Sequence, residues 1–213
     1  MDPRPSFGSY YLGALLRPRR TFDLLMMDSR RLKFGALAVA ISAALYTLVY
    51  VFLTIGGGAP SAFKPFLAIP VDLYYSYDRF IVAPSMFACW ILAAGVAQLL
   101  SHLFSGRGAF EDMLSTLGFA IAIALLISML HDLPESFLGA VGLLDFRWYE
   151  AALNSPTIWR VILWIFYGGS ILVFLILFPK AVGAAARLRP APAILIGVLS
   201  YLLYQGVFLI FNR

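Results

Sequence analysis

Five long uncharged stretches set the class of this chain: Phe34–Phe63, Phe80–Ser101, Met113–Leu130, Val161–Pro179 and Pro190–Asn212. The hydrocarbon core of a bilayer is about 30 Å thick, and a helix needs about 20 apolar residues to cross it. Each stretch meets or nearly meets that length. Lipid offers no hydrogen-bond partners, so a backbone inside it must satisfy its own N–H and C=O groups. The stretches therefore read as helices. The expected fold is all-α: a bundle of five transmembrane helices, over about 34–56, 80–104, 110–130, 159–179 and 191–211, with an amphipathic helix in the arm before them.

Only 13% of the residues are charged, against roughly 25% in a soluble domain. That excludes a water-soluble fold. No polar segment is long enough to bury a core of its own, so the chain divides into an arm, 1–33, and a membrane domain, 34–213. The first apolar stretch is too long for a signal-peptide core, so no cleavable signal is expected. The single Cys89 rules out an internal disulfide and reads as a small buried apolar residue. The net charge of +5 is carried by no soluble basic domain, so nucleic acid is not an expected partner.

Charge position gives the orientation. Arg4, Arg17, Arg19, Arg20, Arg30, Arg31, Lys33, Arg107, Lys180, Arg187 and Arg189 fall on one side of the spans. Lys64, Arg79, Arg147, Arg160 and Arg213 fall on the other. Basic residues concentrate on the cytoplasmic side, which predicts a cytoplasmic N-terminus and an external C-terminus. Tyr74, Tyr75, Tyr77, Trp148, Tyr149 and Trp159 would then form the outer aromatic belt.

In the arm, Pro18 opens a short helix through Met27. Leu15, Phe22, Leu25 and Met26 share a face, with Arg17, Arg19, Arg20, Arg30 and Arg31 around it. The pattern predicts a helix lying on the membrane surface, its apolar face in lipid and its basic groups on anionic headgroups, at roughly 1 kcal/mol per basic residue. Between the second and third stretches, Gly106-Arg107-Gly108 reads as a tight turn, with φ > 0 freedom at its glycines. Glu111 and Asp112 follow in the first turn of the next helix, where carboxylates suit the positive end.

These segments carry a family pattern. Leu15-Leu16-Arg17-Pro18-Arg19-Arg20-Thr21-Phe22 before the first span resembles the Yip family of membrane proteins, first named as interactors of Ypt/Rab GTPases. So do Leu99–Asp112 with the following Leu117-Gly118-Phe119-Ala120, the five-span layout, and the last hairpin with Pro179-Lys180-Ala181-Val182. The resemblance implies contacts with proteins and lipids rather than catalysis. Thirteen arginines against three lysines, and an alanine-rich chain, suggest a bacterial member in an inner (plasma) membrane, where a Rab-linked role does not apply.

Ionisable groups within spans are functional candidates, and this chain has few. His102, near the end of the second stretch, reads as an interfacial histidine bonded to a carbonyl. His131, Asp132 and Glu135 carry ligand types for a cation, but Pro134 between them reads as a helix stop, which leaves a solvated helix end. Ser200, Tyr201, Tyr204 and Gln205 form a stripe that Gln98, Tyr167 and Ser170 from other spans would meet, as interhelical hydrogen bonds or as the lining of a solute path. Ala93, Ala94, Gly95, Gly168 and Gly169 read as close-packing positions. No catalytic motif is present, and the two histidines lie at opposite ends of the bundle. Neither an enzyme nor a cofactor is expected. The leading reading is a scaffold or partner-binding protein, meeting anionic lipid and a membrane-protein partner or a second copy. The alternative is a small oligomeric transporter or channel.

Overall fold

The helices start close to the uncharged stretches and outrun several of them. The computed structural model describes residues 5–60 and 66–212. Among these, α1 is Phe7–Leu16, α2 Pro18–Met26, α3 Arg31–Ile55, α4 Tyr74–Leu103, α5 Phe110–Ala140, α6 Phe146–Asn154, α7 Ile158–Ala186 and α8 Pro190–Asn212. A 3₁₀ turn, Val71–Leu73, leads into α4. Helices α3, α4, α5, α7 and α8 are long and apolar enough to cross a membrane. Phe66–Ile69, bounded by Pro65 and Pro70, reads from sequence as a surface segment; Pro65 lies outside the described residues, and Phe66–Pro70 is not helical.

Three boundaries differ from expectation. Helix α4 begins at Tyr74 rather than near 80, α5 passes Pro134 to reach Ala140, and α7 passes Pro179 to reach Ala186. A proline removes one donor and crowds the carbonyl four residues back. In a long membrane helix the bonds on either side still hold the segment, so it continues. The short apolar stretch after Ser136 is therefore the last turn of α5. Gly142, at φ 76°, turns the chain, and α6 follows under an Asp145 cap that accepts from the N–H groups of Arg147 (2.9 Å) and Trp148 (3.3 Å).

The spans close into a ring in the order α3, α4, α8, α7, α5, with α4 and α5 meeting across it. Lipid chains are as apolar as leucine, so these helices are held by close packing and hydrogen bonds rather than by hydrophobic transfer. The most extensive contact is α3 on α5. A Cβ on Gly118 would lie 2.5 Å from the Gly35 carbonyl oxygen, and one on Gly35 would lie 2.7 Å from Ser115 Cα. Gly197 meets Pro179 in the same way between α8 and α7. Ala93, Ala94 and Ala97 are fully buried. Gly95 and Gly168, picked from sequence as packing positions, face open space, and only Gly169 touches a neighbour, Ile127. Trp90 donates from its indole N–H to Leu114 O (2.9 Å), and Ser170 donates to Ala124 O (2.8 Å), tying spans together.

Candidate functional site

Two features lie at opposite ends of the bundle. At the far end from the arginine-rich arm, all five spans contribute to one cavity of about 90 Å³. Tyr46 and Tyr50 come from α3, Tyr74 and Tyr75 from α4, Asp132 and Glu135 from α5, Tyr167 from α7 and Asn212 from α8. Ala59, Pro60 and Glu150 complete the rim. Among the described residues, the walls hold three carboxylates and no lysine or arginine.

The continuation of α5 through Pro134 places His131 and Glu135 one helical turn apart on the same face. His131 Nδ1 lies 2.9 Å from Asp132 Oδ1 and 3.3 Å from Glu135 Oε2, and its Nε2 lies 3.0 Å from Tyr149 Oη. The expectation of a solvated helix end is corrected: the His131 side chain is 5% exposed and that of Asp132 12%. Tyr167 donates to Asp132 Oδ2 at 3.3 Å. Burial, followed by the charges of Glu135 and Asp132, pushes the Tyr149 phenol well up, so it stays protonated. Glu150 accepts from Ala59 N–H at 2.7 Å, and burial raises its carboxyl while that bond opposes the shift. Asp78, fully buried in α4, is a further span carboxylate that the expected boundary at 80 left outside. The expected aromatic belt divides: Tyr74 and Tyr149 turn inward, while Tyr77, Trp148 and Trp159 stay exposed.

At the other end, α1 and α2 form a collar on the bundle. Phe7, Tyr10 and Tyr11 surround Phe119 at 5.6, 6.5 and 6.4 Å between ring centroids. Tyr11 also donates to Ala122 O at 3.1 Å. Phe22 and Leu25 of α2, which packs on α7 and α5, are fully buried. Of the face expected in lipid, Phe22 and Leu25 are thus set against protein and Met26 is half-buried, while Leu15 stays exposed.

Among the arginines, Arg30 and Arg31 hold the fold together. Arg30 grips Asp28 through Nε (3.1 Å to Oδ1) and Nη2 (2.8 Å to Oδ2), and Arg31 Nε donates to Asp112 Oδ1 at 2.6 Å. Arg17, Arg19, Arg20 and Arg107 remain exposed. The turn carrying Arg107 is fixed to the end of α7: Arg107 N–H donates to Ala186 O at 3.0 Å, and a Cβ on Gly108 would overlap Ala185 O. Its two glycines serve close approach rather than positive φ, which falls instead on Ser105, at 60°.

Hydrogen bonds from Arg30 hold the Asp28 carboxyl down at about 2, from an ordinary value of 3.8. A depressed carboxyl contributes stability that is present above its unfolded value and is lost as pH falls through its folded value. The collar should therefore hold its full stability down to pH near 4 and lose about 1–2 kcal/mol between pH 4 and 2. Asp28→Asn should remove that contribution at neutral pH and flatten the acid limb. Amide exchange of α1 and α2 against pH reads both effects.

The polar residues predicted to share one path are dispersed. Gln98 and His102 bond each other at 3.0 Å near the collar end, and Gln98 also donates to Gly108 O at 2.7 Å. Histidine 102 thus pairs with a side-chain amide, not a carbonyl. Ser170 is satisfied by Ala124 O. Tyr201 stacks on Phe174 and Tyr204 on Phe208. Gln205 is half-buried. Tyr204 Oη and Ser200 Oγ have no hydrogen-bond partner among the described residues. Of the predicted set, Tyr167 alone lines the cavity.

No family model, no curated protein and no solved structure matches this chain. Its fold stands on its own geometry: a polytopic helical membrane protein with five candidate spans.

Proposed function

We propose that this is a non-enzymatic, multi-pass protein of a bacterial plasma membrane, of the Yip kind, acting as a membrane-organising scaffold or partner-binding protein. The observation that carries this reading is the collar. Tyr10, Phe22 and Leu25 are buried against the bundle, while Arg17, Arg19 and Arg20 stand exposed on this folded base, as does Arg107 on its own turn. Such a surface attracts anionic headgroups or an acidic partner face, at roughly 1 kcal/mol per basic residue near a charged leaflet. The excess of basic residues at this end supports a cytoplasmic N-terminus and an external C-terminus.

The second reading, a small oligomeric transporter or channel, draws on the cavity at the far end, to which every span contributes. Beneath it, Tyr46 bonds Ser128 at 3.0 Å, and the rings of Tyr46 and Tyr204 each pack against Phe208.

A photocrosslinking side chain placed at position 107 in living cells separates the two. The scaffold reading expects a discrete protein or lipid adduct that disappears in Arg19→Glu/Arg20→Glu, and no solute flux from proteoliposomes above empty vesicles. Flux that survives the charge reversal, with no adduct, moves the reading to transport.

A further inference from the structure

We propose that His131, Asp132 and Glu135 form a binding site for a divalent first-row transition metal ion, open on one side to the cavity at the far end of the bundle. This goes beyond the scaffold reading and does not depend on it. One ligand atom from each residue lies within 4.8 Å of the other two. The imidazole Nδ1 is 2.9 Å from Asp132 Oδ1 and 3.3 Å from Glu135 Oε2. In a tetrahedral site with bonds of about 2.0–2.1 Å, ligand atoms stand about 3.3 Å apart. Two of the three donor spacings are therefore already near what a metal requires, and the third lies within 4.8 Å.

Charge argues in the same direction. Buried carboxylates are normally paired or coordinate a metal. Both carboxylates lie within a membrane-spanning helix, and both lie within ion-pair distance of one imidazole, which carries at most a single positive charge. Among the described residues no lysine or arginine lines the cavity they face, and Glu150 adds a third carboxylate to it. A divalent cation bound there would neutralise the two carboxylates.

The surroundings meet the demands of a metal site. A ligating histidine usually hands its second ring nitrogen to an orienting partner. Tyr149 Oη is that partner, 3.0 Å from Nε2. With the metal on Nδ1, the imidazole proton sits on Nε2 and is donated to Tyr149 Oη. Tyr167, at 3.3 Å, fixes the other oxygen of Asp132. Two carboxylates and one imidazole leave the fourth position facing the cavity, free for water or a solute donor. The imidazole favours zinc, iron or nickel over magnesium and calcium.

The test uses full-length protein in nanodiscs, stripped with chelator and titrated with zinc chloride by calorimetry, then with cobalt chloride by visible absorption. The expected result is one metal per chain at micromolar affinity or tighter, with tetrahedral cobalt bands. His131→Gln should weaken binding at least 100-fold, and Asp132→Asn and Glu135→Gln 10- to 100-fold each. Tyr149→Phe, which keeps the packing and loses the orienting oxygen, should weaken it about 10-fold. Asp145→Asn, on the same end but outside the cluster, should bind as the parent does. Folding of each variant is read from its thermal transition without metal. A parent that binds zinc no tighter than 1 mM overturns the proposal, as does folded His131→Gln or Tyr149→Phe protein that binds zinc like the parent.

Discussion

Gly118→Leu should prevent assembly of the bundle. The position has no room for a side chain: a Cβ there would sit 2.5 Å from the Gly35 carbonyl oxygen and 3.0 Å from Gly35 Cα. The obstacle is backbone, which cannot swing aside as a flexible side chain can. The helices would have to separate along their whole contact, losing the ion pair of Arg31 with Asp112 and the bond between Tyr46 and Ser128. Overpacking a core by a few methylenes costs about 1–3 kcal/mol, and a clash against backbone at the main helix crossing should exceed that range. Gly118→Ala should retain a folded but weakened bundle. Gly95→Leu supplies the control, because nothing lies within 4 Å of a Cβ built there, and open sites change stability by about 0.5 kcal/mol or less. Folded yield in mild detergent and the thermal transition measure the series. Equal losses at 118 and 95 would show that added bulk, not the crossing, does the damage.

Phe22→Ala should release the collar without disturbing the spans. Phe22 is fully buried under α2, beside Leu25. Truncating a buried phenylalanine costs about 3–5 kcal/mol. A nine-residue helix is marginal in isolation and draws its stability from that docking. The loss should therefore appear as local opening: rapid amide exchange from α1 through α2 and protease cutting near Arg17–Arg20, with slow exchange kept in α5. Leu24→Ala, at an exposed position of the same helix, should change little. If Phe22→Ala leaves exchange in α2 unchanged, the helix is held by lipid at its surface, as the sequence first suggested, and not by α7.

How far the candidate site could be read in advance differs residue by residue. His131, Asp132 and Glu135 stood out as a ligand set, but Pro134 was read as a helix stop. The structure keeps the helix through it, and so restores the one-turn spacing that brings Nδ1 and Oε2 to 3.3 Å. Tyr149 carried no signal as a partner of His131, because it reaches back from α6 across a turn whose path depends on Gly142. Tyr46, Tyr50 and Asn212 were likewise invisible. Their common cavity arises from the ring order, which places α3 and α8 on either side of α4. The exposed arginines of the arm were legible as a group. Their division into fold-holding Arg30 and Arg31 and free Arg17, Arg19 and Arg20 required knowing where Asp28 and Asp112 lie.

The sequence alone determined that this chain is an all-helical membrane protein with five spans. That follows from length and the absence of charge, because a backbone in lipid has no partner but itself. It also fixed the concentration of basic residues at one end, which needs only the span count. Tertiary structure decided everything that depends on helix rotation: which glycines meet, which tyrosines face the cavity, and that α2 lies on α7 rather than in lipid. The physical reason is that the spans are apolar on all sides, so their periodicity marks no inward face. With lipid as apolar as the core, the faces are chosen by the fit of small residues and a few hydrogen bonds between helices far apart in sequence.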